Sequence, residues 1–243
     1  MDYLTTYEAL GHKKRRFGRN FDGGYVIIDN LEYDFYISCG LGGDISFDED
    51  FMRRYEIDGI GIDGTIEEPE KLPDRFSFIP KLVAPYSNDT HTNLLEYCEK
   101  YKDIFLKMDI EGSEWKYIIE QGANILPRCK QIVIELHGLF DENRGGSVNE
   151  KLLALEILSK THNIVHAHGN NHELCGLYQS IIDKKGSIHT DVRIPIVLEL
   201  TYLRKDVCSF ELNKKPFPDT RVDFACNFRE PDIYLHDWPF VHK

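Results

Sequence analysis

Short apolar runs alternate with longer amphipathic stretches along most of this chain, and that alternation limits its fold more than any other feature. Apolar runs of roughly four to eight residues suit buried strands. Stretches with apolar residues three and four apart suit helices lying on a sheet. Strands are expected at residues 34–38, 59–63, 76–84, 104–109, 131–136, 163–168 and 194–203, and helices at 46–56, 91–102, 114–121 and 147–161. Strands separated by helices pair in parallel, so the fold class is α/β with helices on both faces of a mostly parallel sheet. The last strand follows a loop-rich stretch with no clear helix and is expected to insert antiparallel. Pro80 suits an edge or a bulge. Thr90 and Ser113 are expected to cap helix starts, and Gly122 to end the 114–121 helix.

No linker divides the 243 residues, so one domain is expected over 1–243, with an N-terminal extension (1–16) and a tail (205–243) packed on it. The formal net charge of -12 disfavours a nucleic-acid partner gripped through phosphate. The one dense basic run, Lys13 to Arg16, reads as a solvated segment. No signal-like core and no membrane-length apolar run is present, so a cytoplasmic or other intracellular soluble protein is expected, with no membrane partner. Six scattered cysteines (39, 98, 129, 175, 208, 226) contain no C-x-x-C pair and suggest neither zinc nor disulfides. Without a secretory signal, the Asn88-Asp89-Thr90 sequon is taken as empty.

Candidate chemistry gathers at strand ends. "SCGLGGD" (38–44) follows a strand and precedes a helix, where Gly40, Leu41, Gly42 and Gly43 let backbone approach a ligand. It is neither a dinucleotide fingerprint nor a Walker loop. Asp63 lies about twenty residues on, placed to accept ribose hydroxyls. Asn88 and Asp89 follow the third strand and either reach an adenine edge or form a turn. "FLKMDIEGSEW" (105–115) ends an apolar run on carboxylates, and Asp109 and Glu111, two apart, share a face. They orient a hydroxyl acceptor or a cation, or else belong to a capped corner. His137 ends the fifth strand in "ELHG" and is a general-base candidate. "HAHGNNH" (166–172) fits no zinc spacing and reads as loop or substrate contact.

Together "LKMDIEGSEW", "FGRNFDGGYVI", "GLGGD", "QIVIELHG", "HAHGNN" and "LELTYLR" resemble the FkbM-type methyltransferases over roughly residues 17–230. The resemblance implies a Rossmann-like seven-stranded sheet with an antiparallel last strand, S-adenosylmethionine as cofactor, and O-methylation of sugars or natural products. It puts Gly40, Leu41, Gly42, Gly43, Asp63, Asn88, Asp89 and Asp109 at the cofactor. Asp109 and His137 would be catalytic, and Glu111, Glu135, His168 and Asn170 would meet a small-molecule or glycan acceptor. An Asp109–Glu135 pair holding a divalent cation stays open beside direct proton removal. Trp238 and Tyr234 either stack on a sugar ring or belong to the core. Alternatives are a nucleotide-dependent oxidoreductase on the same architecture, an inactive cofactor-binding module, and a glycosyltransferase using D-x-E.

Overall fold

The structure, a computed structural model, describes residues 2–173, 175–182 and 186–242, with backbone alone at 175–182; the Cys175 side chain lies outside the described residues. Its central sheet has seven strands: β1 Phe35–Cys39, β2 Gly59–Ile62, β3 Phe76–Ile79, β4 Ile104–Met108, β5 Cys129–His137, β6 His162–Gly169 and β7 Val197–Arg204. Their order is β6-β7-β5-β4-β1-β2-β3, and β7 runs antiparallel to both neighbours. Among the described residues the α-helices are α1 Ser46–Tyr55, α2 Leu95–Cys98, α3 Glu114–Ile125 and α4 Val148–Thr161.

The strand sequences are apolar throughout because successive side chains feed two cores. Tyr36, Phe105 and Val133 face α1 (Phe47, Phe51, Met52) and the hairpin Lys14–Phe17/Tyr25–Ile28. Ile37, Leu106 and Ile134 face α3 and α4 through Trp115, Ile118, Ala154 and Leu155. The same alternation sets Lys107 and Glu135 on the hairpin side.

Several elements differ from the sequence reading. The 76–84 run breaks at Pro80, and Leu82–Val83 pair instead with His91–Thr92. That pairing displaces the helix expected at 91–102. The Asn88 side chain accepts from the Thr90 and His91 amides, so Thr90 lies in an Asx turn and caps no helix. Leu94, at φ 65°, leaves only the single turn α2. Gly122 does not end α3. It sits inside the helix where a Cβ would meet Ile157 Cγ2 at 2.9 Å, so it permits close packing on α4. Ser113 makes no side-chain cap bond, whereas Ser147 caps α4 in a reciprocal pair with Glu150. The loop-rich stretch before β7 contains a ribbon, Cys175–Ile182 against Ile188–Pro195.

The basic run is not a free solvated segment. It forms the hairpin's first strand, where Arg16 donates to the carbonyls of Arg19 and Phe21 and the Lys14 ammonium lies 5.2 Å from the Phe217 ring centre. Both ends of the chain are tied in: Leu4 is fully buried, Tyr7–Ala9 pair with Phe210–Leu212, and Phe217, Leu235 and Phe240 join the core. Trp238 packs on that core and stacks on His189, while Tyr234 is exposed. Among the described residues no helix is long and apolar enough to cross a membrane.

Candidate active site

The carboxyl ends of β1, β2 and β4 meet at a cleft of about 1110 Å³. Gly40 leaves β1 at φ 79°, and a Cβ there would lie 1.7 Å from the Asp109 carbonyl oxygen. Only glycine lets the two strand ends close this tightly. Asp109 N donates to Cys39 O at 2.9 Å, and Lys107 Nζ donates to Gly40 O at 2.7 Å. Gly42 and Gly43 have nothing within 4 Å of where a Cβ would stand. Their backbone is therefore open to a ligand.

Asp63 ends β2 against this loop. Its carboxylate accepts from Leu41 N and Gly42 N at 3.0 Å each, and from Thr65 N and Thr65 Oγ1 at 2.7 and 2.6 Å. Burial opposes its charge, but these bonds outweigh burial and hold the carboxyl below its ordinary value. Four bonds fill the acceptor sites of a carboxylate. A ribose would have to displace one, and the Thr65 hydroxyl is the partner freest to rotate away. The sequence reading did not single out Thr65.

The turn after β4 is built by a residue the sequence reading left inside a helix. Glu111 and Gly112 take φ 57° and 98°, and Glu114, fully buried, reaches back to them. Its carboxylate accepts from Ile110 N at 2.8 Å, from Gly112 N at 2.9 Å and from His137 Nδ1 at 3.2 Å. The signal was a Glu in the first turn of α3, a residue that can turn back onto preceding amides. His137 Nε2 then faces three more acid side chains: Glu111 at 3.6 Å, and Asp109 and Glu135 at 3.8 Å each. Burial works against an imidazolium, but the Glu114 bond and the surrounding charges lift its pKa. That shift favours the imidazolium form and weakens His137 as a proton acceptor.

Asp109 lines the cleft with Oδ1 buried and without a hydrogen-bond partner. Burial, opposed by Lys107 and His137 and aided by Glu114 and Glu111, pushes its carboxyl up. Glu111 lines the cleft too, but its side chain is 77% exposed and paired with Arg144 at 3.0 Å.

The remaining sequence candidates do not line the cleft. Asn88 shapes its rim by the Asx turn, Asp89 is exposed, and Tyr86 and His91 form the wall there. Glu135, Glu199 and His168 stand directly opposite one another across β5, β7 and β6, a buried row behind Asp109. The Tyr25 hydroxyl, on the hairpin, lies 2.9 Å from Glu135 Oε2 and 3.4 Å from Asp109 Oδ2. It stands between Asp109 and Glu135, so a cation shared by that pair would have to displace it. Asn170 donates to Glu135 at 3.1 Å and to Asp22 at 3.3 Å. Asp22 lines the cleft, with Arg19 and Gly23 of the same hairpin turn.

The cleft suits a cationic nucleoside. Seven carboxylates (Asp22, Asp44, Asp63, Asp109, Glu111, Glu120, Glu150) line it against four basic side chains (Arg19, Lys81, Lys107, Lys116). That excess favours a sulfonium and disfavours a pyrophosphate. The ionised Asp63 and the open Gly42–Gly43 backbone fit a nucleoside and its amino-acid end.

A comparison with curated proteins finds no match. Solved structures similar to this chain include the Methanococcus jannaschii fibrillarin pre-rRNA processing protein, at 11% identity over 83% of this chain and 88% of that chain, with a TM-score of 0.39. A precorrin-6y C5,15-methyltransferase from Geobacter metallireducens is similar at 10% identity over 72% of this chain and 82% of that chain, with a TM-score of 0.35. Neither bears on what this chain acts on. The family model of the methyltransferase FkbM domain matches residues 27–170, more than half of the 243 residues, and the chain belongs to that family of S-adenosylmethionine-dependent methyltransferases.

Proposed function

We propose that this chain methylates a hydroxyl group, on a sugar or glycan acceptor, with Asp109 as the base. The observation that carries this reading is the buried Asp109 Oδ1, without a hydrogen-bond partner, at the cleft beside the glycine loop. Bound S-adenosylmethionine supplies a methyl group already activated by its sulfonium. Gly40 to Gly43 and Asp63 hold the cofactor. What remains for the protein is to align an acceptor oxygen and take its proton. A raised carboxyl pKa brings Asp109 closer to the range in which a base works at neutral pH. Lys107 and His137 favour its charged form, and the Tyr25 hydroxyl lies 3.4 Å from its second oxygen.

The hydroxyl is favoured over a ring nitrogen because the site offers acid oxygens and a base. A sugar is favoured by an exposed aromatic pair that starts from the residue next to the cleft residue Asp22, although neither ring lines the cleft itself. Phe21 stands between the cleft residues Arg19 and Asp22, is 44% exposed and lies 5.5 Å from the ring of the exposed Phe228. That pair offers an apolar platform to one face of a ring, with Asp22 beside it for hydroxyls. Trp238 and Tyr234 do not line the cleft.

The test is Asp109→Asn with a panel of hydroxylated acceptors, following the S-adenosylhomocysteine formed. Loss of a general base predicts a fall in kcat of about 10²–10⁴-fold, with S-adenosylhomocysteine affinity within about threefold. Full turnover in Asp109→Asn would exclude it as the base.

A further inference from the structure

We propose that His168, Glu199 and Cys226 form a structural zinc site that staples the carboxyl-terminal tail to the sheet. The inference does not depend on the acceptor, and it concerns a place other than the Asp109–Glu135 pair. His168 lies on β6 and Glu199 directly opposite on β7, so their side chains share a face. Cys226 comes from the tail. The three are 2%, 5% and 3% exposed. His168 Nδ1 lies 2.8 Å from Glu199 Oε2 and 3.9 Å from Cys226 Sγ, and Sγ lies 3.1 Å from Glu199 Oε1. Tetrahedral zinc bonds of about 2.0–2.3 Å set neighbouring donor atoms roughly 3.3–3.6 Å apart, a spacing that these distances bracket.

The outer contacts follow the same logic. His168 Nε2 lies 3.1 Å from Asp232 Oδ1. A carboxylate on the far nitrogen of a ligating histidine fixes the ring and its tautomer. Zinc would replace the hydrogens now shared on Sγ and Nδ1, which leave as two protons. Nitrogen, oxygen and thiolate donors together suit zinc better than magnesium or calcium. Three protein ligands leave a fourth position for water.

The tail supplies the reason for a staple. From 213 to 242 the described residues form no helix or strand, only the isolated bridge of Phe217 with Leu235. A segment that long without regular structure is uncommon in a compact domain and takes its anchors from side chains. Side chains from the end of β6 and just beyond already serve. Asn171 donates to the carbonyls of Asn227, Glu230 and Pro231, and His166 pairs with Asp223 at 2.8 Å. Cys226 lies between these two attachments. The sequence hid the site because its donors are 58 residues apart at the extremes and no two share a zinc spacing.

The test is metal content by mass spectrometry on the full chain purified without chelator, then chelator treatment and titration with zinc. About one zinc per chain is expected, lost at least tenfold in Cys226→Ser and unchanged in Asp63→Ala. Cobalt added to the apo wild-type chain reports directly on ligation and needs no variant to fold. A thiolate-to-cobalt charge-transfer band and a tetrahedral visible spectrum are expected. The proposal is overturned if the wild-type chain neither retains nor takes up zinc, or if cobalt binds without the thiolate band. It is also overturned if folded Cys226→Ser keeps the wild-type stoichiometry and affinity. None of these readouts involves methyl transfer, so they stand or fall apart from the Asp109 assignment.

Discussion

Glu114→Gln removes one charge from the turn that carries Asp109 and Glu111, and its cost follows from three hydrogen bonds. Glu114 Oε1 accepts from Ile110 N and lies 3.2 Å from His137 Nδ1, while Oε2 accepts from Gly112 N. An amide has one oxygen. Placed at Oε1 it keeps two partners and turns its NH2 onto the Gly112 N–H. A buried donor left without an acceptor costs about 1–3 kcal/mol. The remaining bond to His137 loses its charge assistance, about 1 kcal/mol more. The sum is about 2–4 kcal/mol, or a fall of about 4–16 °C in Tm for a chain of this size. Urea unfolding at pH 7 measures the first figure and a thermal melt the second. The His137 pKa, followed by NMR, should fall in the same variant, because Glu114 contributes most to raising it against the cost of burial. A stability change under about 0.5 kcal/mol with an unmoved His137 pKa would refute the claim that Glu114 builds the turn.

Gly40→Ala should fold poorly or lose cofactor affinity outright, since its methyl would occupy the Asp109 carbonyl oxygen; near-wild-type binding of S-adenosylhomocysteine by calorimetry would contradict the close approach. Asp63→Asn should weaken that binding at least tenfold, with unfolding free energy down by about 1–3 kcal/mol because the amide turns donors toward the Leu41, Gly42 or Thr65 amides. Unchanged affinity would remove Asp63 from the cofactor site. Glu135 reports on pH. Burial, then the charges of Asp109, Glu199 and Asp22, push its carboxyl well up, so the folded chain keeps a proton that the unfolded chain releases above about 4.5. Its contribution to stability is complete below that pH and is lost as pH rises towards the folded value. Glu135→Gln should flatten the decline in unfolding free energy over that window; an identical slope would show that Glu135 is ionised in the folded chain.

The parallel sheet was legible because apolar alternation leaves few other ways to bury both faces of each strand. All seven sheet strands could be placed from the sequence, and the antiparallel β7 from the lack of a crossover helix before it. The glycine loop, Asp63 and Asp109 were legible as strand-end residues, since the carboxyl end of a parallel sheet is where its strands open onto a cleft. The sequence misled where a local signal competed with a longer-range one. Residues 91–102 have helical spacing, but the Asn88 turn and the pairing of His91–Thr92 with Leu82–Val83 took them first. Gly122 looked like a helix stop because the partner that requires a glycine there, Ile157, lies 35 residues away.

Composition and periodicity by themselves determined a sheet, its layers and the edge at which chemistry collects, because those follow from burying short apolar strands. Only the tertiary structure decided which carboxylates act together. Register set Glu135, Glu199 and His168 in one row, the hairpin brought Tyr25 between Asp109 and Glu135, and the tail carried Cys226 to β7. These contacts join residues 27 to 110 positions apart. No local pattern encodes them; they exist only once the strands have paired and water has been excluded from the face they share.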